Sequence, residues 1–134
     1  MQALIVGCGR VGSELAQILS AGGHNVVVLD KNESSFKRLG DSFNGATILG
    51  NGIDTESLKL AGVERAAAAA VVTNGDNTNL MSAQIIKKIF GVPRVVARVY
   101  DPRRAALYRQ FGLEIISGTT LVASLMRDVI MEKK

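Results

Sequence analysis

The sequence predicts a doubly wound α/β fold: a six-stranded parallel sheet in the order 3-2-1-4-5-6 with helices on both faces. Three observations predict it. Short apolar runs alternate with helix-period segments through glycine-bearing joints, the pattern of a parallel sheet covered on both sides. The first run passes directly into Gly7-Cys8-Gly9-Arg10-Val11-Gly12, a glycine-rich turn between a strand and a helix. Asp30 closes the second run 18 positions after Gly12, near the roughly 20 at which a Rossmann-type unit carries its acid.

Each element has its own signal. Leu4 to Val6 forms the first strand, and Val11, Leu15, Ile18 and Leu19 give the next segment a helical apolar face that stops at Gly22-Gly23. Val26 to Leu29 is continuously apolar, as a strand buried on both faces requires. Ser34 to Asp41 is expected as the second helix, Ala46 to Leu49 as the third strand, and Thr55 to Ala61 as a short helix ended by Gly62. Alanine is the strongest helix former, so the run Ala66 to Ala70 is ambiguous taken alone. Its place in the alternation, its Val71-Val72 end and the polar loop Thr73-Asn74-Gly75-Asp76 assign Ala67 to Val72 to the fourth strand. Met81, Ile85, Ile86 and Ile89 recur at helical spacing and place a helix over Asn77 to Phe90. Arg94 to Val99 is the fifth strand, Arg103 to Phe111 a helix closed by Gly112, and Leu113 to Ile116 the sixth strand. The last helix, Thr119 to about Met131, carries Leu121, Val122, Leu125, Met126, Val129 and Ile130 on one broad stripe. That stripe either caps the sheet edge or, as the preferred reading, meets another subunit or a continuation into a further domain.

Composition narrows the classes. At 134 residues the chain fits one domain, 1–134, with 47% hydrophobic and 21% charged residues, as in ordinary α/β proteins. No apolar run approaches the roughly 20 residues of a membrane span, so a cytoplasmic location is expected. The net charge of +4 comes from scattered basic residues rather than one stripe, and no nucleic-acid partner is expected. One cysteine and one histidine supply neither a disulfide nor a Cys/His metal set.

The loops after the strands should face one crevice at the switch point of the sheet. There Gly7 permits a sharp turn, Gly9 lets main-chain N–H groups approach a pyrophosphate, and Gly12 lets the helix pack closely. N–H groups from Gly9 through Arg10 and Val11 to Gly12, with the positive end of the first helix, would hold diphosphate oxygens. Arg10 is either a further phosphate contact or an exposed first-turn arginine. Cys8 is a small inert residue, with thiol sensing as the alternative. Asp30 should accept hydrogen bonds from an adenosine ribose and disfavour a 2′-phosphate, an exclusion that Lys31 weakens. Asn51, before Gly52, is either an adenine-side contact or an ordinary Asx turn. Thr73, Asn74 and Asn79 border the middle of the crevice, Asn79 alternatively being only a helix residue. Arg98 meets a phosphate or carboxylate, or forms a surface ion pair. No His, Tyr-Lys pair or metal set is placed for hydride transfer, so catalysis is not expected.

Taken together, Gly7-Cys8-Gly9-Arg10-Val11-Gly12, Asp30-Lys31, Gly50-Asn51-Gly52, Thr73-Asn74 with Asn79-Leu80-Met81, Ala97-Arg98-Val99 and Phe111-Gly112 resemble the RCK domain. This is the regulator of K+ conductance, here its N-terminal nucleotide-binding subdomain in TrkA- and Ktr-type potassium uptake systems. The resemblance implies a cytosolic gating unit that binds NAD(H) or ATP/ADP and assembles as a homodimer or higher ring beneath a potassium-transporting membrane protein. It also implies that residues 119–134 resemble the start of the crossover that joins subunits. Gly75, Asn77 and Gly118 depart from frequent residues of that family, the first two weakening any divalent-ion reading of their loop. The rival expectations are an NAD-dependent oxidoreductase fragment and a redox-sensing regulator.

Overall fold

Apolar runs form the centre of the molecule. In β1 (Gln2–Val6), Ala3 to Val6 are each at most 2% exposed, so both faces of this strand are covered. The structure, a computed structural model, describes residues 1–132. Its other strands are β2 (Asn25–Asp30), β3 (Ala46–Leu49), β4 (Ala68–Val71), β5 (Arg94–Arg98) and β6 (Glu114–Ile116). All pair in parallel in the order β3-β2-β1-β4-β5-β6, the expected Rossmann-type arrangement. The order reverses between β1 and β4, which opens a crevice beyond their carboxyl ends.

One face of the sheet, with Leu4, Val6, Leu29 and Val71, packs under α2 (Thr55–Leu60), α3 (Asp76–Gln84) and α4 (Pro102–Arg109). These helices contribute Leu58, Leu80, Ala83 and Ala105. The other face, with Ile5, Val26, Val28 and Ala70, is covered by Ala16 of α1 (Arg10–Ala21) and by Leu39. The alanine run is a central strand, as its place in the alternation indicates. Ala69 and Ala70 are each 5% exposed, so tertiary burial overrides helix propensity there.

Three elements differ from the sequence expectation. The segment expected as a helix over Ser34 to Asp41 is a tighter 3-10 turn series, Glu33–Leu39. Asn32 caps it by accepting from Ser34 N–H, and Gly40 at φ 73° ends it. The helix expected to Phe90 is α-helical only to Gln84 and continues as one wide π turn over Ile85–Ile89. A further 3-10 turn, Val63–Arg65, precedes β4. Separately, α5 (Gly118–Met131) buries none of its residues, so its stripe does not cap the sheet edge. Lys133 and Lys134, the end of the segment 119–134, lie outside the described residues.

Candidate functional site

Five strand ends open onto one cavity of about 490 Å3, within the range of small-molecule sites. Gly7, Cys8 and Gly9 line it from the β1 turn, Asp30 and Lys31 from β2, Asn51 and Gly52 from β3, Thr73 and Asn74 from β4, and Arg98 from β5. Arg10, Val11, Gly12 and Asn79 stand outside the lining. The first three act there through the main chain at most, and Asn79 through Thr73.

The turn is built by close approach. Gly7 adopts φ +107°, and a Cβ on it would sit 2.9 Å from Thr73 N. A Cβ on Gly12 would sit 1.9 Å from the Gly7 carbonyl oxygen, so helix α1 can only start this close to the strand without a side chain there. A Cβ on Gly9 would meet nothing within 4 Å, because that side of the turn is open. Gly9 is also the N-cap of α1 and has no side chain to satisfy the helix start. The first helical bond is Ser13 N–H to Gly9 O at 2.9 Å. The N–H groups of Arg10, Val11 and Gly12 therefore have no intrahelical acceptor, at the positive end of a 12-residue helix. An anion with several oxygens fits this donor set.

Asp30 faces the turn. Its Oδ2 accepts from Cys8 N–H at 2.7 Å and its Oδ1 from Asn32 N–H at 2.8 Å. Each oxygen keeps a further lone pair, so the carboxylate remains able to accept from two ligand hydroxyls. Cys8 itself is fully buried, and burial, followed by the charge of Asp30, pushes its thiol pKa up against the opposing charge of Arg38. A buried, protonated thiol is a poor nucleophile, which fits the inert reading of Cys8.

The structure chooses between alternatives at two other positions. Asn51 Oδ1 accepts from Ile53 N–H at 3.1 Å, the Asx turn, which leaves its NH2 donors and one further lone pair on the oxygen. Arg98 forms no ion pair among the described residues. Its Nη2 donates to Val72 O and Thr73 O, both at 2.9 Å, and its guanidinium lies 4.8 Å over the Tyr100 ring. The sequence reading missed Asn32, Ser35 and Arg38, which also line the cavity. They are three residues apart, and a 3-10 turn series stacks positions i, i+3 and i+6 in one column. Gln17 Nε2 pins this segment by donating to Arg38 O and Leu39 O at 3.2 and 2.7 Å.

The TrkA-N domain model matches residues 3–118. The chain belongs to the TrkA-N family. It is 46% identical over 126 residues to the Trk system potassium uptake protein TrkA of Streptomyces coelicolor (strain ATCC BAA-471 / A3(2) / M145). That match covers 94% of this chain and 56% of the relative, so the chain spans little more than half the relative's length. Among solved structures, the TrkA-N domain of inner membrane protein ybaL from Escherichia coli superposes with a TM-score of 0.85 at 23% identity, covering 98% of this chain and 96% of that one. GsuK bound to ADP superposes at 0.81 with 22% identity, covering 99% and 34%. The GsuK channel bound to NAD superposes at 0.72 with 21% identity, covering 86% and 21%. At these identities the structural likeness establishes the fold.

Proposed function

We propose that this chain is a nucleotide-binding regulatory domain of a potassium uptake system, taking NAD(H) or ADP/ATP in the crevice between β1 and β4. The observation that carries the reading is the pairing of an uncapped helix start with an acceptor carboxylate across one cavity. The N–H groups at 10–12 suit a diphosphate and Asp30 suits the ribose hydroxyls of the same molecule. Family membership and the named potassium uptake relative support the physiological setting. The ADP- and NAD-bound GsuK structures support the ligand class.

The chain acts by binding rather than by catalysis. Among the described residues no histidine or tyrosine lines the cavity, and each oxygen of the Asp30 carboxylate already accepts a main-chain N–H. Regulation then requires the nucleotide to prefer one arrangement of assembled copies over another, and through it one state of a potassium-transporting membrane protein. Such a role places the domain at the cytoplasmic side of the membrane.

Isothermal calorimetry with ADP tests the site. Saturable binding is expected, and Asp30→Ala should weaken it by about 1–3 kcal/mol through lost charge-assisted hydrogen bonds. Because Asp30 also holds Cys8 and Asn32, the variant is compared with wild type by circular dichroism first. A folded variant with undiminished affinity refutes the assignment. Turnover of NADH with a broad substrate panel would favour an oxidoreductase instead.

A further inference from the structure

We propose that the pole of the sheet opposite the crevice is a docking surface for anionic lipid headgroups, so that the domain rests on the membrane with its nucleotide site facing away. Along the chain the basic residues are scattered. Parallel strands, however, all start at one pole, and the fold gathers there the cations around the starts of β4 and β5. The register pairs Ala68 with Arg94, so the 3-10 turn Val63–Arg65 and the π turn Ile85–Ile89 deliver the chain to the same rim. Arg65 reaches toward the start of β1: a Cβ on Gly62 would sit 3.4 Å from its Nη2 and 3.8 Å from Gln2 Nε2.

Arg65, Lys88 and Arg94 are exposed and form no ion pair among the described residues. Glu64 is the acidic residue of the 3-10 turn, and no residue from Ile85 to Arg94 is acidic. Lys87 donates to Pro93 O at 2.8 Å, which ties the end of the helix to the loop that enters β5. The π turn closes with Phe90 N–H donating to Ile85 O at 3.2 Å. It packs Ile86 and Phe90 on the core and leaves Ile89 67% exposed. Leu60 ends α2 on the same face of the sheet and is 73% exposed. Unpaired cations beside bare aliphatic side chains suit a membrane surface, where headgroup phosphates take the charges and the aliphatic groups enter the acyl boundary.

Lipid fits this rim better than protein does. Cytoplasmic loops of membrane proteins carry an excess of Lys and Arg, which such a rim repels. An acidic polypeptide matches the cations but not, by its charge, the exposed Leu60 and Ile89. No helix among the described residues is long and apolar enough to cross a membrane, so the contact is with its surface. The inference takes the membrane from the potassium-uptake setting proposed above, and nothing from the identity of the nucleotide.

Co-sedimentation of the whole chain with vesicles tests it. Vesicles of phosphatidylglycerol and phosphatidylcholine in equal parts should retain the chain at low salt and release it as salt rises, whereas pure phosphatidylcholine should not retain it. The double variant Lys88→Glu, Arg94→Glu should bind the mixed vesicles about tenfold more weakly or less. Ile89→Ser should lower binding about threefold without changing the salt dependence. Both variants should keep the wild-type circular dichroism spectrum and ADP affinity, because the crevice lies at the other pole. Equal retention on the two kinds of vesicle overturns the proposal, as does undiminished binding by the folded double variant. If that variant does not fold, the comparison of vesicles decides alone. Retention of wild type on immobilised polyglutamate but not on mixed vesicles assigns the rim to an acidic polypeptide and overturns the lipid inference. Wild type that binds ADP but no vesicle overturns it too and leaves the nucleotide reading standing, while vesicle binding without ADP binding does the reverse.

Discussion

A side chain at Gly12 would put its Cβ 1.9 Å from the Gly7 carbonyl oxygen and 3.1 Å from Val72 Cγ2. The first neighbour is main chain and cannot swing away, so relief requires α1 to move off the sheet. Gly12→Ala should therefore destabilise the fold by about 3 kcal/mol, the upper end of overpacking costs, as measured by urea denaturation. The same displacement would separate the N–H groups at 10–12 from the cavity, so ADP affinity should fall in the residual folded population as well. An alanine variant with wild-type stability would show that the turn is looser than the described contacts. At this scale much of the site was legible. Gly7, Gly9, Gly12 and Asp30 have roles tied to main-chain geometry, and spacing along the chain reports main-chain geometry directly. Arg98 and Asn79 were legible only as polar residues near the crevice. Asn79 donates to the Thr73 and Arg98 carbonyls and Arg98 to the Val72 and Thr73 carbonyls, groups at the ends of β4 and β5 that only the sheet order brings together.

Among the elements, the 3-10 series Glu33–Leu39 matters most to function, and its winding is what the sequence concealed. Leu39 and Phe36 pack toward the second core cluster, which apolar spacing alone reads equally well as one α-helical face. Three residues per turn instead of 3.6 holds Asn32, Ser35 and Arg38 in register along the cavity rather than letting them fan around the helix. Arg38 thereby becomes a cation at the rim, with Nη1 within 3.5 Å of Cys8 O on the phosphate turn. Arg38→Ala should weaken ADP about three- to fivefold in low-salt calorimetry, with the difference shrinking as salt is raised. Equal affinities at low salt would place the guanidinium in solvent. The strands, by contrast, were readable almost to their ends, because a parallel sheet covered on both faces leaves continuous apolar runs that polar joints delimit. The π turn Ile85–Ile89 was not readable, since Ile85, Ile86 and Ile89 keep a spacing that α and π winding both satisfy over one turn.

At the scale of the whole molecule, the covered sheet contrasts with the bare helix α5. Val122, Leu125, Met126, Val129 and Ile130 line one apolar concavity and are 50%, 57%, 61%, 72% and 79% exposed. Their spacing, i, i+3, i+4, i+7 and i+8, is that of a helix face built to meet another helix. The face carries no charge, so a second copy of itself is a fitting complement, and helix-to-helix contact of this kind agrees with the association expected of a subunit-joining segment. Sedimentation equilibrium should show self-association of the chain. Val129→Glu should abolish it by placing a charge in the seam. Because α5 buries no residue against the sheet, the same substitution should change stability of the body by less than about 0.5 kcal/mol. That combination separates an interface from a core position, which would lose both association and stability. A wild-type chain that stays monomeric at micromolar concentration would sink the interface, and with it the simplest route by which a nucleotide in the crevice could bias the geometry of neighbouring copies. With association present, the coupling itself is measurable: a nucleotide that prefers the associated arrangement must tighten self-association by the same factor by which association tightens its own binding.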